Sequence, residues 1–190
     1  MHQHPCFRGA SVLAVALATL VVASPASAQR ARIWSLDASL GAAGSFTKGY
    51  VYDDAVAGIS ADLTFALRLP NTPLVVAANA TANGPLAGSD VCYFSPRGGC
   101  MPRHPEFAFL GALAGWESAS ARVRVLGGPA YALARWEHPA FTIQSRVDVA
   151  LPIVRHLALI GSLRAMLVPN YDHASYNVPS AGIGLRVRSR

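Results

Sequence analysis

Residues 141–168, FTIQSRVDVALPIVRHLALIGSLRAMLV, alternate between apolar and polar side chains in two consecutive runs. From 141 to 151 the odd positions are mostly apolar and most even positions are polar, and in the second run Leu163 stands beside Arg164. Successive side chains of a β-strand point to opposite faces of its sheet, so this period of two predicts two strands. A break over residues 152–156 predicts that the two strands form a hairpin with a tight turn.

The first 28 residues have the composition of a secretory signal peptide. A short polar start precedes an apolar run from Gly9 to Ala23, and the small residues Ala26-Ser27-Ala28 follow. The apolar run has roughly 15 residues, fewer than the roughly 20 that a membrane-spanning helix needs. We therefore expect cleavage before Gln29, which leaves residues 29–190 as one exported domain.

The chain is apolar and carries few charges, and most of its cations are arginines. Hydrophobic residues make up 52% and charged residues 14%, and the sixteen cations include only one lysine, Lys48, against ten acids. This basic balance does not indicate a nucleic-acid partner, because the arginines are dispersed at strand spacing and an exported protein rarely meets DNA.

The alternation of the hairpin recurs along the mature chain and predicts eight strands in all. In the runs 74–81 and 107–116 both faces are apolar, so the facing of these two strands is left open. The predicted strands cover residues 33–45, 54–69, 74–81, 107–116, a run starting at 121, 141–151, 157–168 and 181–187.

The connections alternate in length, with short turns after the second, fourth and sixth strands and longer loops after the others. The polar faces consist of Ser, Thr and Gly with isolated Arg and Asp, which suits a narrow lumen better than a surface in water. Both features are typical of bacterial outer-membrane barrels. The sequence predicts an all-β fold, an eight-stranded antiparallel up-and-down transmembrane β-barrel. The alternative is a soluble periplasmic barrel whose apolar face points inward and which carries a lipophilic ligand.

The whole mature chain resembles, in this architecture, the small eight-stranded outer-membrane barrels of the OmpA and OmpX type. The closing stretch GIGLRVR, residues 182–188, is similar to their last strand. The resemblance implies a monomer in the bacterial outer membrane, in contact with its lipid and lipopolysaccharide. We expect a structural or surface-interaction role, with no cofactor and no metal ion.

The predicted lumen contains charges that must pair, since each desolvated charge costs several kcal/mol without a partner. We expect a lumen charge network of Asp37, Asp62, Asp148, Arg124, Arg146 and Arg164. Arg68, Arg122 and Arg186 are expected near the periplasmic mouth, where water reaches them. A barrel of eight strands is only wide enough to be filled by side chains, so no diffusion pore is expected. A gated ion path is the alternative.

Aromatic residues near the predicted strand ends are expected to form girdles at the lipid headgroups, where such rings concentrate in membrane barrels. A carbohydrate-stacking role is the alternative for one of them, Trp136. The expected girdle residues are Trp34, Phe107, Trp116, Tyr131, Trp136 and Phe141.

The longest loop, residues 82–106, holds both cysteines that remain after cleavage, Cys92 and Cys100. Export takes them to a compartment in which disulfides persist, so we expect the two to be bonded. That ring would hold Tyr93, Phe94 and Arg97 outward as a surface for an extracellular partner. A metal site formed by the two cysteines with His104 is less well supported in such a compartment.

The sequence contains no phosphate-binding glycine loop, no GxSxG elbow and no HExxH motif, and no catalytic residue is assigned. One short run, His173-Ala174-Ser175 with Asn177 close behind, resembles the His-x-Ser of outer-membrane lipid A deacylases. In such a pair the histidine acts as base to the serine hydroxyl and is oriented by an acidic group. No acidic residue follows Ser175. An enzyme acting on lipid A is therefore the alternative function.

Overall fold

The computed structural model describes residues 33–49, 53–85, 92–94, 100–102, 107–134, 139–171 and 174–189. The predicted signal peptide lies outside these ranges and stays a prediction. The described ranges contain no helical segment with the length and hydropathy of a membrane span. The strands are β1 (Ile33–Gly49), β2 (Asp53–Arg68), β3 (Leu74–Pro85), β4 (Cys92–Phe94), β5 (Cys100–Pro102), β6 (Phe107–Glu117), β7 (Val123–Ala134), β8 (Ala140–Val154), β9 (Leu157–Tyr171) and β10 (Ala174–Arg188).

Eight of these strands form a closed barrel in the order β1-β10-β9-β8-β7-β6-β3-β2. Every neighbouring pair is antiparallel, and the first and last strands close the sheet. Closure leaves no unpaired strand edge. The predicted eight-stranded antiparallel barrel is confirmed. We call the end with the short β2–β3, β6–β7 and β8–β9 connections the turn end, and the opposite end the loop end.

At the loop end several strands are longer than the alternation predicted. β1 continues to Gly49 and β3 to Pro85. The predicted loop 169–179 is mostly strand, because β9 runs to Tyr171 and β10 starts at Ala174. Ladder pairing uses backbone groups alone, so it continues where the apolar pattern fades. The two-stranded ribbon of β4 and β5 inside the longest loop was not predicted at all.

The barrel has the reverse polarity of a water-soluble protein, as β8 and β9 show most clearly. Leu163 is 63% exposed on the outside, whereas its neighbours Ser162 and Arg164 are buried inside. The predicted facing of the hairpin is thus confirmed. Buried polar and charged side chains include Ser35, Asp37, Ser39, Ser60, Asp62, Thr64, Asn79, Thr81, Asn83, Glu117, Arg124, Thr142, Gln144, Arg146, Asp148, Ser162, Arg164, Ser180 and Arg186.

The two strands of open facing are now defined. In β3, Val75 and Asn79 point inward, and in β6, Phe109 and Leu113 do so, while Trp116 lies on the outer surface. The inward face of β6 is apolar because Phe107, Phe109 and Leu113 belong to apolar clusters of the interior. On β3 only Val75 and Ala77 do so, and the inward residues that follow, Asn79, Thr81 and Asn83, are polar. Alternation in hydrophobicity therefore disappears in β6, although the alternation in burial persists.

Inward-facing glycines stand where neighbouring strands approach most closely. A Cβ added to Gly41 on β1 would lie 2.0 Å from the carbonyl oxygen of Ala181 on β10. On the β6–β7 pair, a Cβ at Gly115 would lie 1.9 Å from the carbonyl oxygen of Val125. Glycine permits this approach because it has no side chain, and it marks sites of strong bending in closed sheets.

Candidate functional site

The polar interior is built around four arginines and four acids, supplied by seven of the eight barrel strands. All eight side chains are buried. We call this set the interior charge network. Its members are Asp37 on β1, Asp62 on β2, Glu117 on β6, Arg124 on β7, Arg146 and Asp148 on β8, Arg164 on β9 and Arg186 on β10.

Asp37 is the acceptor for several of these arginines. Arg186 donates to both of its carboxylate oxygens, from Nε and from Nη2 at 2.8 Å each. Arg124 donates from Nη1 at 3.1 Å, and Nη2 of Arg146 lies 3.8 Å away. Bidentate charge-assisted hydrogen bonds are among the strongest that proteins make. Because Asp37 and Arg186 are opposite each other on β1 and β10, they join the strands that close the barrel.

A second group of contacts crosses the full width of the lumen. Nη1 of Arg146 on β8 contacts the carboxylate of Asp62 on β2, and these strands stand four places apart in the eight-membered ring. Nη1 of Arg164 lies 2.9 Å from Asp62, and Thr81 donates to the same carboxylate at 2.9 Å. Nε of Arg146 also donates to Asp148 at 2.6 Å. Arginine side chains therefore fill the middle of the lumen.

Glu117 is a member of the network that the sequence did not reveal. The predicted strand 107–116 stops one residue before Glu117, but Glu117 is the last residue of β6, and it is buried. Nη2 of Arg188 contacts its Oε1, and Nη2 of Arg124 lies 3.4 Å from its Oε2. The signal in the sequence was the alternation of side chains along the strand: Trp116 faces outward, so the next residue of the strand must face inward.

The three arginines predicted near the mouth of the lumen behave differently from one another. Arg186 is fully buried and central, so its predicted hydrated position is wrong. Arg68 is half-buried, and its Nε donates to the backbone oxygen of Thr72 in the turn at 3.1 Å. Arg122 is exposed beside β7. Among the described residues, neither Arg68 nor Arg122 forms an ion pair with the interior charge network.

Apolar clusters occupy the interior on both sides of the charges. At the loop end the rings of Phe107 and Tyr176 meet edge to face with centroids 5.3 Å apart, and the ring of Phe109 is tilted against that of Phe107 with centroids 5.6 Å apart. Phe107 is 3% exposed, so the expectation that it belongs to a lipid-facing girdle is wrong. The loop-end cluster consists of Phe107, Phe109, Ala132, Met166, Val168, Tyr176 and Val178. The turn-end side holds Ala66, Val75, Ala77, Leu113 and Leu126, with Ala150, Ala158 and Ile160.

Four other expected girdle residues are on the outer surface. Trp34 and Trp116 are exposed at the turn end, where β1 begins and β6 ends. Tyr131 and Phe141 face each other across β7 and β8 toward the loop end, with ring centroids 6.4 Å apart. Trp136 lies outside the described residues.

The remaining expected sites lie largely outside the described structure. On the ribbon of β4 and β5, the backbone of Cys92 is opposite Pro102 and that of Cys100 is opposite Phe94. No side-chain position is described for the cysteines, for Tyr93 or for Phe94, and Arg97 is not described at all. The disulfide and the partner surface therefore stay predictions.

The His-x-Ser pair of the alternative function is only partly described. Ser175 belongs to strand β10, opposite Lys48, and not to a loop as expected. His173 lies outside the described residues. Among the described residues, no three His, Cys, Asp or Glu side chains are grouped so that they could hold a metal ion.

Comparisons with known proteins identify the fold and no family. No family model matches the chain, and no curated protein matches it. Among solved structures, Neisserial surface protein A matches with a TM-score of 0.57 and 12% identity, over 81% of this chain and 96% of that one. Ail, the attachment invasion locus protein of Yersinia pestis, matches with a TM-score of 0.48 and 12% identity, over 83% of this chain and 99% of that one. The first likeness supports the barrel fold alone.

Proposed function

We propose that this chain is a monomeric outer-membrane β-barrel protein that forms no open pore and has a structural or surface-interaction role. The observation that carries the proposal is the reversed polarity of the barrel. Ile183 and Leu163 are 71% and 63% exposed, while Arg146 and Asp148 are buried. A continuous apolar exterior of this kind is unfavourable in water and is what the hydrocarbon of a bilayer requires.

The strand lengths and the aromatic residues support a membrane position. The barrel strands have from 11 to 17 residues, and about 9 to 11 are enough to cross a bilayer. The excess lies at the loop end, where β9 and β10 continue to Tyr171 and from Ala174. Aromatic rings mark both levels, with Trp116 near the turns and Tyr131 toward the loops. In outer-membrane barrels the short turns face the periplasm, which orients the chain.

The packed interior argues against passage of solutes. Arg146 spans the lumen to Asp62, and the loop-end cluster fills the space above the charges. Eight-stranded barrels leave room for side chains and little else. Vesicles that contain the purified protein should therefore retain a trapped small sugar as well as protein-free vesicles do. Release at the rate produced by an equal amount of a known porin would contradict a closed barrel.

The membrane position is tested by fractionation of cells that express the full chain. The protein should sediment with outer membranes and be released by detergent, while high salt alone leaves it in place. Recovery in the soluble periplasmic fraction would instead favour a soluble carrier.

The loop between β3 and β6 is the proposed contact surface, with Tyr93, Phe94 and Arg97 as its side chains.

Catalysis on lipid A is tested separately. Purified protein incubated with lipopolysaccharide should release no fatty acid. Turnover that disappears in Ser175→Ala would replace the structural role with an enzymatic one.

A further inference from the structure

Four arginines lie at the turn end, each at or next to the end of a barrel strand. Arg68 closes β2, Arg122 precedes β7, Arg155 lies between β8 and β9, and Arg188 is the last residue of β10. We call these four the turn-end arginines. Arg122 and Arg155 are exposed, and Arg68 and Arg188 are half-buried.

This surface has almost no negative charge to balance it. In the described part of the turn end the only carboxylate is Glu117, which is buried and is used by Arg124 and Arg188. The turn residues between the strands are neutral: Leu69, Pro70, Asn71, Thr72 and Pro73 in one turn, and Ser118, Ala119, Ser120 and Ala121 in another. Arg68, Arg122 and Arg155 therefore form a cationic rim that the described residues leave uncompensated.

Hydrogen bonds fix the backbone of the turns that carry these arginines and one of the arginine side chains. Arg68 donates to its own turn through Nε, and the backbone nitrogen of Arg122 donates to Ser118 Oγ at 3.1 Å. The backbone nitrogen of Ala150 donates to the oxygen of Arg122 at 2.7 Å. At the end of β10, the nitrogen of Arg188 donates to the oxygen of His156 at 3.0 Å. Because the turns are linked to neighbouring strands, binding an anion there costs little ordering of the backbone.

The rim lies directly beside the edge of the apolar exterior. Large apolar side chains exposed at this end are Trp34, Leu69, Leu74, Trp116, Ile153 and Val154. Two of these residues, Trp34 and Trp116, are aromatic, and tryptophan rings on the outside of a membrane barrel lie at the headgroup level of the bilayer. A cation just beyond them lies at the height of the lipid phosphates.

We propose that Arg68, Arg122 and Arg155 bind the phosphate groups of anionic phospholipids in the leaflet around the turn end. The charge complementarity carries the assignment, because a rim of three arginines without an exposed carboxylate matches an anionic headgroup and not a zwitterionic one. This inference rests on the proposed membrane position. An arginine near an anionic surface strengthens binding by about fivefold, and salt weakens it.

The test uses the purified full-length protein reconstituted in phosphatidylcholine vesicles. Brominated phosphatidylglycerol, which quenches tryptophan fluorescence on contact, is added in increasing amounts, with brominated phosphatidylcholine as reference. With Trp136 replaced by phenylalanine, the remaining tryptophans are Trp34 and Trp116, which lie at the turn end and report on lipid bound there. Phosphatidylglycerol should quench several-fold more effectively at low salt, and the difference should shrink at high salt.

The matched variants remove equal charge from the two ends. Replacing Arg68, Arg122 and Arg155 by glutamine should abolish the preference for phosphatidylglycerol. Replacing Lys48, Arg103 and Arg135, which the sequence places toward the loop end, should leave it unchanged. A preference that survives the turn-end replacements, or is absent from the unmodified protein, would overturn the inference.

Two further outcomes separate the inference from its premises. Failure of the protein to insert into any vesicle would contradict the membrane position itself, whereas insertion without lipid preference would overturn only the lipid site. Soluble peptidoglycan fragments that remove the preference in competition, at concentrations where inorganic phosphate does not, would assign the rim to the cell wall and overturn the lipid assignment.

Discussion

Arg186 binds both carboxylate oxygens of Asp37 from the opposite position on the neighbouring strand, at 2.8 Å for each contact. The two residues belong to β10 and β1, which are far apart in the chain and meet only when the barrel closes. Closure of the sheet and pairing of the two charges therefore accompany one another. An unclosed barrel leaves Arg186 and Asp37 without each other.

This relationship predicts non-additive effects on the free energy of unfolding. Asp37→Leu or Arg186→Leu alone should lower it by about 3 to 5 kcal/mol, because each leaves a buried charge with fewer partners. The double variant should lose less than the sum of the two. Urea unfolding of the protein in micelles or vesicles measures all three. Ser39→Ala, a neighbouring interior change, should cost less than about 1 kcal/mol. Additive losses would contradict the coupling.

Glycines in neighbouring positions of β9 and β10 predict opposite responses to one methyl group. At Gly184 an added Cβ would lie 2.0 Å from the carbonyl oxygen of Ala38, whereas at Gly161 it meets nothing within 4 Å. Gly184→Ala should therefore lower the free energy of unfolding by about 1 to 3 kcal/mol. Gly161→Ala should change it by less than about 0.5 kcal/mol. Equal effects in the same unfolding assay would refute the close approach of β1 and β10.

Much of the fold was predictable because alternation records which side chains of each strand point outward and which point into the barrel. Leu163 and Arg164 were assigned to opposite faces from their spacing alone. Phe107 was misplaced because an aromatic ring is equally stable in lipid and in an apolar interior cluster. Phe107 and Glu117 are ten positions apart on the same strand, and residues an even number of positions apart face the same side. A charged residue at 117 was therefore the signal that both point inward.

Which interior arginine contacts which carboxylate could not be predicted from the sequence, for a different reason. Whether Arg146 meets Asp62 depends on how the strands are staggered around the closed barrel, and alternation within one strand does not contain that stagger. The same stagger takes Arg186 from the expected mouth of the lumen to its centre. Loop-end strand lengths were underestimated because polar residues such as Ser175 and Asn177 pair through their backbones.

The loop between β3 and β6 carries the prediction of a disulfide between Cys92 and Cys100. The oxidised, exported protein should show no free thiol toward a maleimide reagent after denaturation without reductant. Reduction should release two thiols and increase protease cleavage of this loop. The barrel should remain folded, since the bond stabilises only loop order, by about 2 to 3 kcal/mol. Two reactive thiols in the unreduced protein would exclude the bond.

A charge placed on the outer surface should be tolerated poorly at mid-bilayer. Leu163→Arg should lower the free energy of unfolding by about 2 to 4 kcal/mol, because the guanidinium replaces a lipid-facing side chain. Ser162→Ala, one residue away and facing inward, should be tolerated. Reversible unfolding in lipid vesicles measures both. If Leu163→Arg folds as stably as the unmodified protein, Leu163 does not face lipid.

The central claim is that the apolar outer face of the barrel lies in hydrocarbon. Spin labels placed one at a time at Leu159, Gly161, Leu163, Ala165 and Leu167 of β9 test it directly, because all five side-chain positions point outward. In vesicles, collisions of the label with dissolved oxygen should exceed those with a water-soluble nickel complex at every position. The excess should be greatest near Leu163. Labels that collide mainly with the nickel complex along the whole strand would place this face in water and contradict the membrane-spanning barrel.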